Sequence, residues 1–246
     1  MSTLRALLGG YDRRSVATLA LLCLGYAVIG LVWRRYLDVS QGNDWLLTGI
    51  WVFMTALLCW GIAPRRDLIR AAVGFGGGMY VEAWGTVTSI WWYFTAERPP
   101  LWILPAWPVA AIAIDRLSRA VDVVVPDIDL RWAWWLTLPP FVVLMTWFVW
   151  PYVHEPLTQL SIAAMIAVLL VPGRTRQDVT LMLAGAGLGV FLEYWGTSRH
   201  CWNYYTGEIP PPAAVLAHGF ASVAFQRVAA VVEWAVTAAQ ARYASS

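Results

Sequence analysis

The sequence predicts an all-α integral membrane protein of about eight transmembrane helices, built from two parallel four-helix repeats. Three observations carry that reading. The 246 residues are 59% hydrophobic and only 13% charged, about half the charge of an ordinary soluble domain, with a mean hydropathy of +0.58. Eight apolar stretches punctuate the chain, most of them near the roughly 20 residues that span a bilayer. Residues 65–117 align with 176–228 at a fixed offset of 111, without a gap, with 18 identities in 53 positions. Unrelated segments of ordinary composition share about three or four, so the match is an internal duplication.

The first apolar stretch, 15–33, follows Arg5, Arg13 and Arg14. It is long for a signal peptide and no small-x-small cleavage pattern follows, so a retained first helix is expected. Stretches 45–63, 68–91 and 101–123 complete the first half. The segment 122–131, with Pro126 and the acids Asp122, Asp127 and Asp129, reads as the link between a first repeat, 1–125, and a second, 126–246. Stretches 132–153, 157–172, 179–196 and 212–236 fill the second half, the 157–172 stretch being short. Pro99-Pro100 and Pro210-Pro211-Pro212 stop the connections before them and can open the next helix at its first turn. Pro105 and Pro108 predict a kink in the fourth helix.

Eight crossings put both termini on one side. A four-helix repeat is even, so the halves are parallel and related by an axis along the membrane normal. All 17 basic residues are Arg. Thirteen fall on the side of the termini, and Arg34, Arg35, Arg98 and Arg199 on the other. The positive-inside rule then predicts cytoplasmic termini, the expected location being a bacterial inner membrane.

Several function classes drop out. A net charge of +2 and the absence of a basic patch give nucleic acid no footprint. Cys23, Cys59 and Cys201 show no CxxC spacing. There is no phosphate-binding glycine loop, Asp-rich diphosphate motif or nucleophile elbow. His154, His200 and His218 do not repeat, their counterparts being Asn43, Ser89 and Trp107. Glu193, His200 and Cys201 match no ligand spacing, so neither a metal nor another cofactor is expected.

The chemistry-bearing stretch occurs twice. Glu82-Ala83-Trp84-Gly85-Thr86 precedes Trp91-Trp92-Tyr93, and Glu193-Tyr194-Trp195-Gly196-Thr197 precedes Trp202-Asn203-Tyr204. Gly74, Gly78, Glu82 and Gly85 fall on one helical stripe, as do Gly185, Gly189, Glu193 and Gly196. Such glycines admit another backbone, so each Glu is expected to face the bundle. Counted from Leu68, Glu82 lies about 21 Å along its helix. A carboxylate there is costly unless paired, hydrated or protonated, and is functional by default. The plainer reading is a buried Glu that only holds neighbouring helices together. The aromatics can be an interfacial belt, although a belt needs depth rather than register. Asp115-Arg116 and Gln226-Arg227 read as structural helix ends and ion pairs.

The order Glu-x-x-Gly, an aromatic run, then Pro and an apolar helix resembles the membrane carotenoid hydratase family, the gamma-carotene and bisanhydrobacterioruberin hydratases. The matching pieces are Glu82 to Gly85 with Trp92-Tyr93-Phe94, and Glu193 to Gly196 with Tyr204-Tyr205. The resemblance implies an integral membrane enzyme that adds water across an isoprenoid double bond without a redox cofactor.

The expected function is an intramembrane enzyme of hydratase or cyclase type acting on an isoprenoid or other lipid. Glu193 or Glu82 would be the general acid, the other positioning water or taking a proton back. Trp84, Trp195, Tyr93, Tyr204, Trp91, Trp202 and Asn203 are the candidate substrate contacts. Glu193 has more hydrogen-bonding side chains nearby and is expected to be the more chemical of the two, with Glu82 the more structural. The alternatives are a structural or assembly subunit, associated with other membrane proteins, and a small transporter.

Overall fold

The computed structural model describes residues 10–32, 34, 45–125, 127–171 and 173–244. Arg5, Trp33, Arg35, Asn43, Pro126 and Pro172 lie outside the described residues. Each of the eight apolar stretches contains an α-helix: α1 (Arg13–Val32), α2 (Trp45–Leu58), α3 (Pro64–Val87), α4 (Ala106–Val124), α5 (Arg131–Val149), α6 (Pro156–Leu170), α7 (Thr175–Ser198) and α8 (Pro212–Ala244). A 3-10 turn, Trp150–Tyr152, extends α5.

The chain is not purely helical. Two three-residue strands, β1 (Trp91–Tyr93) and β2 (Trp202–Tyr204), pair antiparallel with Trp92 opposite Asn203. Trp91, expected to end the third helix, is therefore in a strand. The helix stops at Val87 because Ser89 takes a left-handed backbone (φ 61°), which a helix cannot continue. His200 does the same before β2 (φ 54°). The pair is extended at both ends: the Phe94 amide donates to the Cys201 carbonyl and the Tyr205 amide to the Ile90 carbonyl.

Two further expectations need correction. Pro105 and Pro108 do not kink α4. Pro105 flanks its N-terminus and Pro108 is in its first turn, where a missing N–H costs nothing. The fourth helix also starts at Ala106, five residues later than expected, because residues 101–105 form turns. Pro212 opens α8 as anticipated.

Four helices form the centre. α3 packs on α4, α7 on α8, α4 on α7 and α3 on α8. α2 covers α4, α6 covers α8, and α5 lies against α7 and α8. α1 packs only at the edge, with Ser15 its one buried residue. Contacts fix the helix directions. Glu82 of α3 and Glu193 of α7 lie at one end of the bundle with Trp107 of α4 and His218 of α8. Asp67, Asp178, Arg116 and Arg227 lie at the other. α3 and α7 therefore run the same way, and α4 and α8 run back.

Among the described residues, four helices are long and apolar enough to cross a membrane: Arg13–Val32, Arg131–Tyr152, Thr175–Ser198 and Pro212–Arg242. α2 and α6 are apolar but shorter. α3 and α4 carry the charged ends and the carboxylate that lower their hydropathy.

Candidate functional site: two carboxylate cages

Each repeat encloses its glutamate in three donors. Trp91 Nε1 donates to Glu82 Oε2 at 3.2 Å, Tyr93 Oη to Oε1 at 2.9 Å and Trp107 Nε1 to Oε1 at 3.1 Å. In the second repeat Trp202 Nε1 donates to Glu193 Oε2 at 3.0 Å, and Tyr204 Oη approaches both oxygens at 3.0 and 2.9 Å. His218 Nε2 meets Glu193 Oε1 at 2.8 Å. Every pair of equivalent partners is 111 residues apart. Glu82 is 3% exposed and Glu193 5%. A hydrogen bond to a charged group contributes about 1.5–3 kcal/mol. Three together are of the same order as the several kcal/mol that burying one ion costs.

The glycines of the motif make the cages possible. A Cβ on Gly85 would fall 2.0 Å from the Trp91 ring, and one on Gly196 would fall 1.9 Å from the Trp202 ring. Each indole thus lies flat on its own helix, which brings its Nε1 back to a glutamate one turn earlier. Gly78 makes the same room for the Trp107 ring and Gly189 for His218. Gly74 and Gly185, against the carbonyls of Trp107 and His218, and Gly189, against the Val215 carbonyl, match the expected backbone approach. Thr86 and Thr197 bond back to the Glu82 and Glu193 carbonyls, both at 2.6 Å.

The cages interlock. Trp91 packs against Tyr204 at 6.0 Å and Tyr93 against Trp202 at 5.9 Å between ring centres. Trp107 and His218 stack on one another, 6.4 Å apart and 12° from parallel. Burial, and after it the neighbouring carboxyl, pushes both the Tyr93 and the Tyr204 phenol well above the ordinary value. Both tyrosines therefore keep their protons and stay donors.

The other expected site residues stand one layer back. Trp84 meets Trp91 edge to face at 5.9 Å, and its Nε1 donates to Thr158 Oγ1 at 3.0 Å. Trp195 packs against Trp202, and the Arg199 guanidinium lies over its ring. The Asn203 side chain meets His200 Nδ1 at 3.0 Å. The Trp84 indole and the Asn203 amide thus bond to Thr158 and His200 rather than to a carboxylate.

Trp107 and His218 complete the cages, yet no identity marks them. The available signal was their register: both lie 25 residues after the motif glutamate, and the second is an imidazole where the first is an indole. Among the described residues, no three His, Cys, Asp or Glu side chains gather to hold a metal ion.

The far end of the bundle carries a second duplicated set. Arg116 pairs with Asp67 at 2.7 Å and Arg227 with Asp178 at 2.8 Å. Arg116 also donates to the Trp60 carbonyl just after α2, and Arg227 to the Val168 and Leu169 carbonyls at the end of α6. Each guanidinium thus satisfies carbonyls that a helix C-terminus leaves open while tying three helices together. Arg70 has no charged twin, Leu181 standing at its equivalent. It reaches Asp115 at 3.0 Å and Gln226 at 3.2 Å, side chains that are themselves 111 apart. The expectation that these positions are structural ion pairs fits this geometry.

Around Glu82 the nitrogen partners are two indoles, which only donate. Around Glu193 one of them is an imidazole, 25% exposed, which has both a donor and an acceptor nitrogen. No protein-family model matches the chain, and comparison with curated proteins and with solved structures likewise finds no match.

Proposed function

We propose that the protein is an intramembrane acid–base enzyme of hydratase type, acting on an isoprenoid or other lipid with the Glu193–His218 dyad as its proton-transfer centre. One observation supports this above the others: the 2.8 Å contact between His218 Nε2 and Glu193 Oε1 where the first cage has an indole. An indole N–H only donates, whereas imidazole both donates and accepts. Glu193 accepts the Nε2 proton and orients the ring, leaving Nδ1 as the working nitrogen. In the addition direction the imidazolium gives its Nδ1 proton to one alkene carbon, and the π pair forms the new C–H bond. The cation at the more substituted carbon takes the oxygen of water, and the extra water proton returns to Nδ1. No electron is gained or lost. Aromatic faces, of which Trp107 is the one stacked on His218, stabilise the cation.

The same proposal places all eight helices across a bacterial inner membrane as two parallel four-helix repeats, with cytoplasmic termini. Exposed Trp132 and Trp135 at one end of α5 and Trp147 and Trp150 at the other support it. The outer two are about 27 Å apart at 1.5 Å per residue, close to the hydrocarbon thickness that aromatic belts frame. Cysteines placed at Ala96 or Gly207 should react with an impermeant reagent on intact cells. Protection at both, with labelling at Arg174→Cys, would reverse the orientation.

Chemistry is tested with isotopic water. Membranes holding the protein and a linear isoprenoid polyene should yield a product heavier by one water, its oxygen carrying the label. Glu193→Gln and His218→Gln should abolish that product in folded protein. Full activity in both would remove the dyad, and no labelled product from the wild type would favour a structural or assembly subunit, the reading that the closed, donor-only cage around Glu82 supports.

A further inference from the structure

Glu193 is buried, yet a proton centre needs a source of protons and water. A small hollow of about 40 Å³ opens beside the second cage, lined by Thr197, His200, Asn203, Tyr204 and Glu208 among others. Two of these residues belong to the cage as well. Tyr204 Oη donates to the Glu193 carboxylate at 2.9 Å, and Thr197 bonds to the Glu193 carbonyl. One layer of side chains therefore separates the hollow from the carboxylate. Its rim is polar: His200 meets Asn203 at 3.0 Å, and both His200 and Glu208 are exposed. The first repeat places Ser89, Trp92 and Arg98 at the positions of His200, Asn203 and Ile209, so a large indole stands where the hollow has an amide.

We infer that this hollow is a port from which hydronium of the outer aqueous phase supplies protons to the Glu193–His218 dyad, with Tyr204 as the relay. The inference rests on the proton-transfer reading and on the orientation proposed above. The occupant is water, because the lining is polar and the space is small beside a lipid chain. Hydronium gives its proton to the Tyr204 oxygen as the phenolic proton passes to Glu193. The hydroxyl then rotates back, and charge and proton count balance.

The test reads access, not turnover. In protein whose native cysteines are replaced by Ser, Thr197→Cys on the wall of the hollow is exposed to silver ion, a water-sized probe, added outside intact cells. Reaction is read as lost maleimide labelling after denaturation. External silver should block Cys labelling quickly, and adding Asn203→Trp, the first repeat's residue, should slow the reaction at least tenfold. A rate unchanged by Asn203→Trp, or reaction only in inside-out vesicles, would overturn the port. If Thr197→Cys does not fold, Glu208→Cys on the same lining takes its place with the same two outcomes. The isotope experiment stands apart: labelled product from protein that excludes external silver would retain the dyad and remove the port, whereas silver entry without product would do the reverse.

Discussion

The two cages are built from one plan and differ in one ring. Both have a buried glutamate, an indole seated on a glycine, a phenol from a short strand and a fourth side chain from the following helix. In the first repeat that side chain is Trp107, in the second His218. The shared parts explain how a carboxylate survives burial. The differing part decides whether anything besides structure comes of it, because indole cannot accept a proton and imidazole can. Duplication lets the first site keep the bundle together while the second departs from it.

The largest effect should come from what the cages share. Gly85→Ala and Gly196→Ala each drive a Cβ into an indole and pull its N–H from the carboxylate. Overpacking costs about 1–3 kcal/mol and the lost charged hydrogen bond about 1.5–3 kcal/mol, so each should lose about 3–5 kcal/mol. Thermal unfolding in detergent should show the two variants within about 1 kcal/mol of each other. A large loss at one glycine alone would mean the cages are not equivalent supports.

Next comes the carboxylate itself, where the repeats should part. In Glu82→Gln the new amide NH2 must face Trp91 or Trp107, both donors only, leaving a buried donor unpaired at about 1–3 kcal/mol. In Glu193→Gln the amide can face His218, whose ring changes tautomer and accepts. That variant should lose under about 1 kcal/mol, and it should lose the isotope-labelled product that Glu82→Gln, where folded, retains. Equal destabilisation would erase the distinction.

Trp107→His transplants the difference. It removes stacked ring area at a cost of about 2 kcal/mol, less than full truncation of a buried aromatic. Placed in Glu193→Gln protein, it should return part of the labelled product through Glu82. No recovery, with the fold intact, would show that the imidazole needs the rest of the second site.

The smallest effect lies in the turn after each strand. Ala96 holds a left-handed backbone (φ 57°) where its twin is Gly207 (φ 70°), and nothing lies within 4 Å of a Cβ on Gly207. Ala96→Gly should stabilise and Gly207→Ala destabilise, each by about 1 kcal/mol, from backbone conformation alone. Denaturation midpoints shifting in opposite directions check this.

Much of this was legible in the residues. The fixed offset located both glutamates, the glycine stripes and the arginines, and each apolar stretch proved to hold a helix. The strands were not legible, because Trp91-Trp92-Tyr93 is as apolar as the helix before it and its pairing partner is 111 residues away. Gly85 and Gly196 were read as seats for another backbone. Their real neighbours are indoles six residues later on the same chain, a fold-back that helical spacing does not display. His218 was legible only as a mismatch with Trp107 and not as a partner of Glu193, since 25 residues separate the two. The Asp67–Arg116 and Asp178–Arg227 clamps were visible as four duplicated residues but not as pairs, since 49 residues separate the partners.

The most direct test is the nitrogen-15 spectrum of the His218 ring, in wild type and in Glu193→Gln. The chain has only three histidines, so His154→Gln and His200→Gln assign the signals. With a carboxylate at 2.8 Å, Nε2 should carry the proton in the wild type. In Glu193→Gln it should lose it, because Trp202 can only donate and forces the amide NH2 toward His218. An Nε2 that stays protonated in Glu193→Gln, or that lacks its proton in the wild type, would contradict a proton-exchanging dyad at the second cage.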